Sequence, residues 1–200
     1  MKKKDGRITE GVEDAIERTI ETFQAHLNRY WNERDLHWVF YHYLNSPQIL
    51  QTTQAIDLIR AEFPTHELYE GDRGHYDLVI LTPESYYTSA ISKLKPQTPW
   101  KEFLDFLEIY VAVEIKIWPE RKAYKALVEW DIKKLTDPIN KIEHAYYLNF
   151  VQLDFTRSHM RNYYTELRDY LTERKEQLTK LKILYVPSDS GIQNKSNNWL

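Results

Sequence analysis

Ile109-Tyr110-Val111-Ala112-Val113-Glu114-Ile115-Lys116-Ile117-Trp118, closed by Pro119, is the most strand-like run in the chain. Side chains alternate faces along a strand, so Val111, Val113, Ile115 and Ile117 form one β-branched face that demands burial. Glu114 and Lys116 point together to the other face, with Ala112 and Trp118. A carboxylate and an ammonium inside so apolar a strand are costly unless they pair with each other, a metal or a ligand.

Working outward, His144 to Leu153 and Leu181 to Val186 read as strands on the C-terminal side, with helical stretches at Tyr124 to Leu135 and Ser158 to about Thr179 between them. On the N-terminal side, His66 to Tyr69 and His75 to Leu81 flank Gly71 and Gly74 and read as a hairpin. Thr9 is expected to cap a helix carrying Val12, Ile16, Ile20, Phe23 and Leu27. A second amphipathic stretch holds Leu36, Val39, Phe40, Tyr43 and Leu44, and Ala55 to Phe63 reads as a short helix stopped by Pro64. Thr98-Pro99-Trp100 has the form of a helix start. Strands mixed with helices in this order predict an α/β fold, a mixed central β-sheet flanked by helices. The expected organisation is an N-terminal helical extension at 1–30, an α/β domain at 31–187 with an insertion at 82–108, and a polar tail at 188–200.

Composition narrows the chemistry. With no Cys among 200 residues, disulfide scaffolds, thiolate zinc sites and Cys nucleophiles are excluded. Only five Gly are present, and no Gly-rich phosphate loop, Gly-x-Ser-x-Gly or Gly-Lys-Ser/Thr motif occurs, so dinucleotide, ATPase and serine-hydrolase chemistry lack support. His37 and His42 stand five apart and do not share a helix face as zinc ligands would. No apolar run approaches the ~18 residues of a membrane span, and no secretory signal follows Met1, so a cytoplasmic protein without membrane contact is expected. The net charge of −3 announces no polyanion by itself; a nucleic-acid partner would have to use a local cleft.

The bare (Asp/Glu)-x-Lys pattern is weak, for it recurs at Glu120-Arg121-Lys122, Asp131-Ile132-Lys133 and Glu173-Arg174-Lys175. Only Glu114-Ile115-Lys116 lies in a strand. Asp77, in the preceding strand, shares its face with His75, Val79 and Leu81, and neighbouring strands would bring it to Glu114 and Lys116. Two carboxylates with waters suit Mg²⁺, and a nearby Lys can orient or deprotonate a water. Glu33 and Asp131 extend the apolar stripes of their helices and so face the sheet or its rim.

Helical Glu33, strand Asp77, Glu114-Ile115-Lys116 and a following helix with Asp131 together resemble the PD-(D/E)XK, or restriction-endonuclease-like, nuclease superfamily. The resemblance covers about residues 30 to 153 and implies a mixed four-stranded core flanked by helices. It implies a Mg²⁺-dependent nuclease (Mn²⁺ as substitute) hydrolysing phosphodiester bonds, with DNA as first substrate and RNA as second. Asp77 and Glu114 would be metal ligands, Lys116 the water-positioning residue and Glu33 an auxiliary acid.

Each residue also has a plainer reading. Asp77, Glu114 and Lys116 form a structural ion network on an inactive module that binds nucleic acid or a protein. Glu33 pairs with Arg29 or Arg34, and Asp131 with Lys134 or Lys125, along their own helices. His75 is a strand-edge residue or one that supports a ligand without being one itself. Lys93, Lys95, Lys101, Arg121, Lys122 and Lys125 are solvated rather than phosphate-steering, and most Tyr rings serve the core. A homodimer formed through the first helix is a further expectation.

Overall fold

A computed structural model describes residues 2–26, 32–46, 58–69, 72–85, 104, 107–118, 124–151, 165, 169–170, 172–173 and 178–187. Among these, three helices of twelve residues or more, α1 (Lys2–Ala25), α2 (Glu33–Leu44) and α3 (Tyr124–Thr136), accompany five strands. The strands are β1 (Ile59–Tyr69), β2 (Asp72–Leu81), β3 (Ile109–Trp118), β4 (Ile142–Val151) and β5 (Leu181–Pro187). They form one sheet in the order β1-β2-β3-β4-β5, antiparallel through β3 and parallel from β3 to β5. The fold is α/β with a mixed sheet.

Both faces of the sheet centre are covered. Every residue of β4 from Ala145 to Val151 is buried, the near-continuous apolar run expected of parallel strands with helices on each side. The β-branched face of β3 is buried as its alternation requires, with Val111, Val113 and Ile115 fully enclosed. The β3-α3-β4 connection is the crossover that a parallel pair needs.

α1 packs into the same core. Ile8, Val12, Ala15, Ile16 and Phe23 are buried in it, and the Phe23 ring meets Phe150 edge-on with centroids 5.0 Å apart. The stripe that self-pairing of this helix would use is thus turned inward, against the chain's own sheet. Thr9 is not its cap: the helix runs from Lys2, and Thr9 Oγ1 lies 3.1 Å from the Tyr110 hydroxyl. The polar residues before Thr9 carry no stop signal and continue the helix. α2 does start where its residues predict. Asn32 caps it, accepting from the Asp35 N–H while Asp35 accepts from the Asn32 N–H, a capping box.

The helix expected over Ala55 to Phe63 is corrected: from Ile59 the chain is strand, and 55–57 lie outside the described residues. Cross-strand pairing of Ile59 with Ile80 and Arg60 with Val79 overrides the local spacing. Pro64 does not stop an element. It sits within β1, an edge strand, where a missing N–H is tolerated, next to a register shift. Glu62 has φ 50°, which interrupts the alternation there.

The segment expected as an insertion leaves and returns through a single neck. Thr82 N–H donates to the Glu108 carbonyl at 2.9 Å, and Glu108 N–H donates to Ser85 Oγ at 3.2 Å. The helix start at Thr98-Pro99-Trp100, most of the stretch from Ser158 to Thr179, and the polar tail lie outside the described residues.

Candidate functional site

The β2–β3 ladder pairs Leu81 with Ile109 at one end and Leu78 with Val113 at the other, then stops, although both strands continue. Side chains take over from the backbone beyond that point. Asp77 Oδ2 accepts the Ile115 N–H at 2.6 Å, and Lys134 Nζ donates to the His75 carbonyl at 2.7 Å. The predicted residues gather at this interruption, on the C-terminal half of β3, which runs parallel to β4 beside it. In open α/β sheets that is the usual end for a ligand site.

Lys116 is the hub. Its Nζ lies 3.1 Å from Glu114 Oε1, 3.5 Å from Glu33 Oε2 and 3.6 Å from Asp131 Oδ2. Glu33 reaches it from the first turn of α2, a contact across the fold; Arg29, one of its two expected local partners, lies outside the described residues. Asp131 reaches it from α3 while also pairing with Lys134 three residues on, at 3.0 Å. Lys134 closes the far side: its Nζ is 2.8 Å from Glu114 Oε2. Glu114, only 2% exposed, therefore has a lysine at each carboxylate oxygen.

Burial dominates the electrostatics, and neighbours decide the sign. Burial, with Asp77 and Asp131 close by, pushes the Glu114 carboxyl well above the ordinary glutamate range, against the pull of the two lysines. Burial also raises Glu33, only partly offset by Lys116. Burial works against the charged form of Lys116, yet Glu114, Asp131, Asp77 and Glu33 outweigh it and raise its pKa, so it stays an ammonium. A lysine held in that form orients a water or balances negative charge. Burial opposes ionisation of Asp77 too, but the bond to His37, Lys116 and the Ile115 N–H together hold its pKa below the usual aspartate value.

His37 is the residue that the sequence reading missed. Its Nε2 lies 3.2 Å from Asp77 Oδ2, and that contact lifts its pKa despite burial. The signal was present: His37 follows Glu33 by four, so both project from one side of α2 toward the strand ends. Comparing it only with His42 hid that. Lys134 was read as a local partner of Asp131, and its reach to Glu114 needed the packing of α3 on the sheet. His75 is exposed, on a strand flanked by β1 and β3.

His37, Glu62 and Asp77 each offer a ligand atom, and these atoms all lie within 4.8 Å of one another. One imidazole nitrogen and two carboxylates form a donor set that a divalent cation accepts. Asp77 fits a cation site, with acidic and imidazole donors around it; Glu114 brings a carboxylate whose oxygens already face Lys116 and Lys134. A cleft of about 790 Å³ opens onto Asp77 and Ile115, lined on one side by α2 and on another by β1. Arg121, Lys122 and Lys125, raised as phosphate-steering candidates, have side chains outside the described residues, as do Lys93, Lys95 and Lys101. No helix among the described residues is long and apolar enough to cross a membrane. Comparison with known proteins returns no matching family model, no matching curated protein and no matching solved structure.

Proposed function

We propose that this chain is a metal-dependent nuclease that hydrolyses phosphodiester bonds, DNA first, of the PD-(D/E)XK kind. The observation that carries the reading is the meeting of Glu33, Asp77, Glu114 and Lys116 at one interruption of a mixed sheet, contributed by α2, β2 and β3. A mixed sheet flanked by helices agrees with what the resemblance implies. Asp77 would hold Mg²⁺, or Mn²⁺ in its place, either with Glu114 from β3 or with His37 and Glu62, the donors grouped beside it. Such a cation supplies charge neutralisation at a phosphoryl oxygen and a more acidic bound water.

The chain's own residues do the rest. Lys116, kept protonated by its carboxylates, donates to the attacking water or to a non-bridging oxygen and balances the charge that develops there. Glu33, its carboxyl raised by burial and 3.5 Å from Lys116, stands where it can take the proton that the water gives up. The Ile115 N–H fixes Asp77 in place. The test is nicking of plasmid and single-stranded DNA with Mg²⁺ or Mn²⁺ by wild type, Asp77→Ala, Glu114→Ala and Lys116→Ala. Loss of at least a hundredfold in all three variants is expected; equal activity throughout would sink the reading.

A second reading, a non-catalytic module that binds nucleic acid or a protein partner, draws on the two lysines that already neutralise Glu114. It expects no Mn²⁺ binding by calorimetry in a folded protein. Binding that disappears in Asp77→Asn favours the nuclease.

A further inference from the structure

α2 presents to solvent a stripe that the core does not use. Leu36, Phe40 and Leu44 face inward. Arg34, Trp38 and Tyr41 follow at i, i+4 and i+7, which sets them along another side of the same helix. Trp38 is 71% exposed and Tyr41 36%, and their rings meet edge-on at 6.4 Å. An indole left this open forgoes the large burial gain that a side chain of its size offers. A paired aromatic patch of this kind marks a contact surface.

The stripe does not lie on a featureless face. Arg34, Trp38 and Tyr41 line the same cleft that opens onto Asp77, and β1 adds Arg60, whose Nη1 also donates to the Ile59 carbonyl at 2.6 Å. Two guanidinium groups and two exposed rings therefore share one concavity of about 790 Å³ with the acidic centre. That volume falls in the range of sites that enclose small ligands.

We propose that this cleft holds an unpaired nucleic-acid strand, with Arg34 and Arg60 on its phosphates and Trp38 and Tyr41 stacked on its bases. In a duplex the base faces are occupied by their neighbours, so an exposed indole gains stacking only from a strand whose bases are free. Arg matches phosphate geometry through its planar fork and supplies the charge complement. The assignment of single strands as the substrate class rests on the nuclease reading; the binding itself does not.

The experiment is fluorescence anisotropy in EDTA with a labelled oligothymidylate, an abasic oligonucleotide of equal length, and a hairpin duplex. Wild type is expected to bind oligothymidylate at least tenfold tighter than the duplex. Trp38→Ala should weaken oligothymidylate binding by about 5- to 160-fold, the range that ~1–3 kcal/mol of stacking gives, with Trp38→Phe between the two. The abasic strand should bind both proteins alike, and should weaken in Arg34→Ala/Arg60→Ala. Equal affinity for strand and duplex, or a Trp38→Ala variant that binds oligothymidylate like wild type, overturns the proposal. If strand binding follows this pattern and no cleavage occurs with Mg²⁺ or Mn²⁺, the nuclease reading fails and the cleft stands. If cleavage occurs and Trp38→Ala leaves KM unchanged, the cleft fails and the nuclease stands.

Discussion

Lys134 Nζ lies 2.8 Å from Glu114 Oε2, on the opposite oxygen from Lys116. The two lysines share one carboxylate but differ in setting. Lys134 is 5% exposed, donates to the His75 carbonyl and pairs with Asp131; Lys116 is more open and faces four acidic groups.

Lys134 is thereby a fastening between α3 and the sheet. Lys134→Met removes one member of a buried pair and leaves the His75 carbonyl without its donor, so a loss of about 3–5 kcal/mol is expected. Lys116→Met should cost less stability, because the lysine is part-exposed, and abolish cleavage. Urea unfolding of both variants checks this, and a larger loss for Lys116→Met would reverse the assignment.

Two donor sets compete for Asp77. In calorimetry with Mn²⁺, Asp77→Asn should lose at least tenfold in affinity. Glu62→Gln and Glu114→Gln separate the alternatives, since weakening by the first puts the cation with His37 and weakening by the second puts it beside Lys116. An unaltered Asp77→Asn would remove the site from this part of the fold.

The pH dependence of stability follows from His37. Its pKa is raised in the folded state by Asp77, with Glu33 and Glu62 facing it as well. A raised base stabilises fully below its unfolded value near ~6.5 and loses that contribution as pH climbs through the folded value. His37→Gln should therefore cost more at pH 5.5 than at pH 9, by about 1 kcal/mol for a charge-assisted contact. Thermal melts in EDTA at the two pH values measure it, and a cost that grows with pH would contradict the pairing.

α1 is tested by Phe23→Ala. A fully buried ring packed against Phe150 should cost about 3–5 kcal/mol when truncated. A loss below about 1 kcal/mol would mean that the helix is a detachable extension.

Much of this arrangement was legible in the residues. The alternation of Val111, Val113, Ile115 and Ile117 located the central strand to the residue, because a buried face leaves little freedom of register. The charged pair inside it pointed to a site for the same reason. Pairing across the fold was less legible. β1 was misread before His66 because an edge strand tolerates Pro64 and a left-handed Glu62, features that locally resemble an ending. His37 was compared only with His42 and Lys134 read only as a partner of Asp131, and only the approach of α2 and α3 to the gap beside Leu78 and Val113 gives them longer-range partners.

The same outer strand has a consequence for behaviour in concentrated solution. Pro64 offers no N–H, and the turn of the backbone at Glu62 breaks the row of outward amides before another molecule can zip onto it. Replacing these two residues with Val and Thr would restore outward amides to the part of this edge that Asn140, bonded to the His66 N–H at 3.1 Å, leaves uncovered, and would make strand-to-strand adhesion between molecules easier.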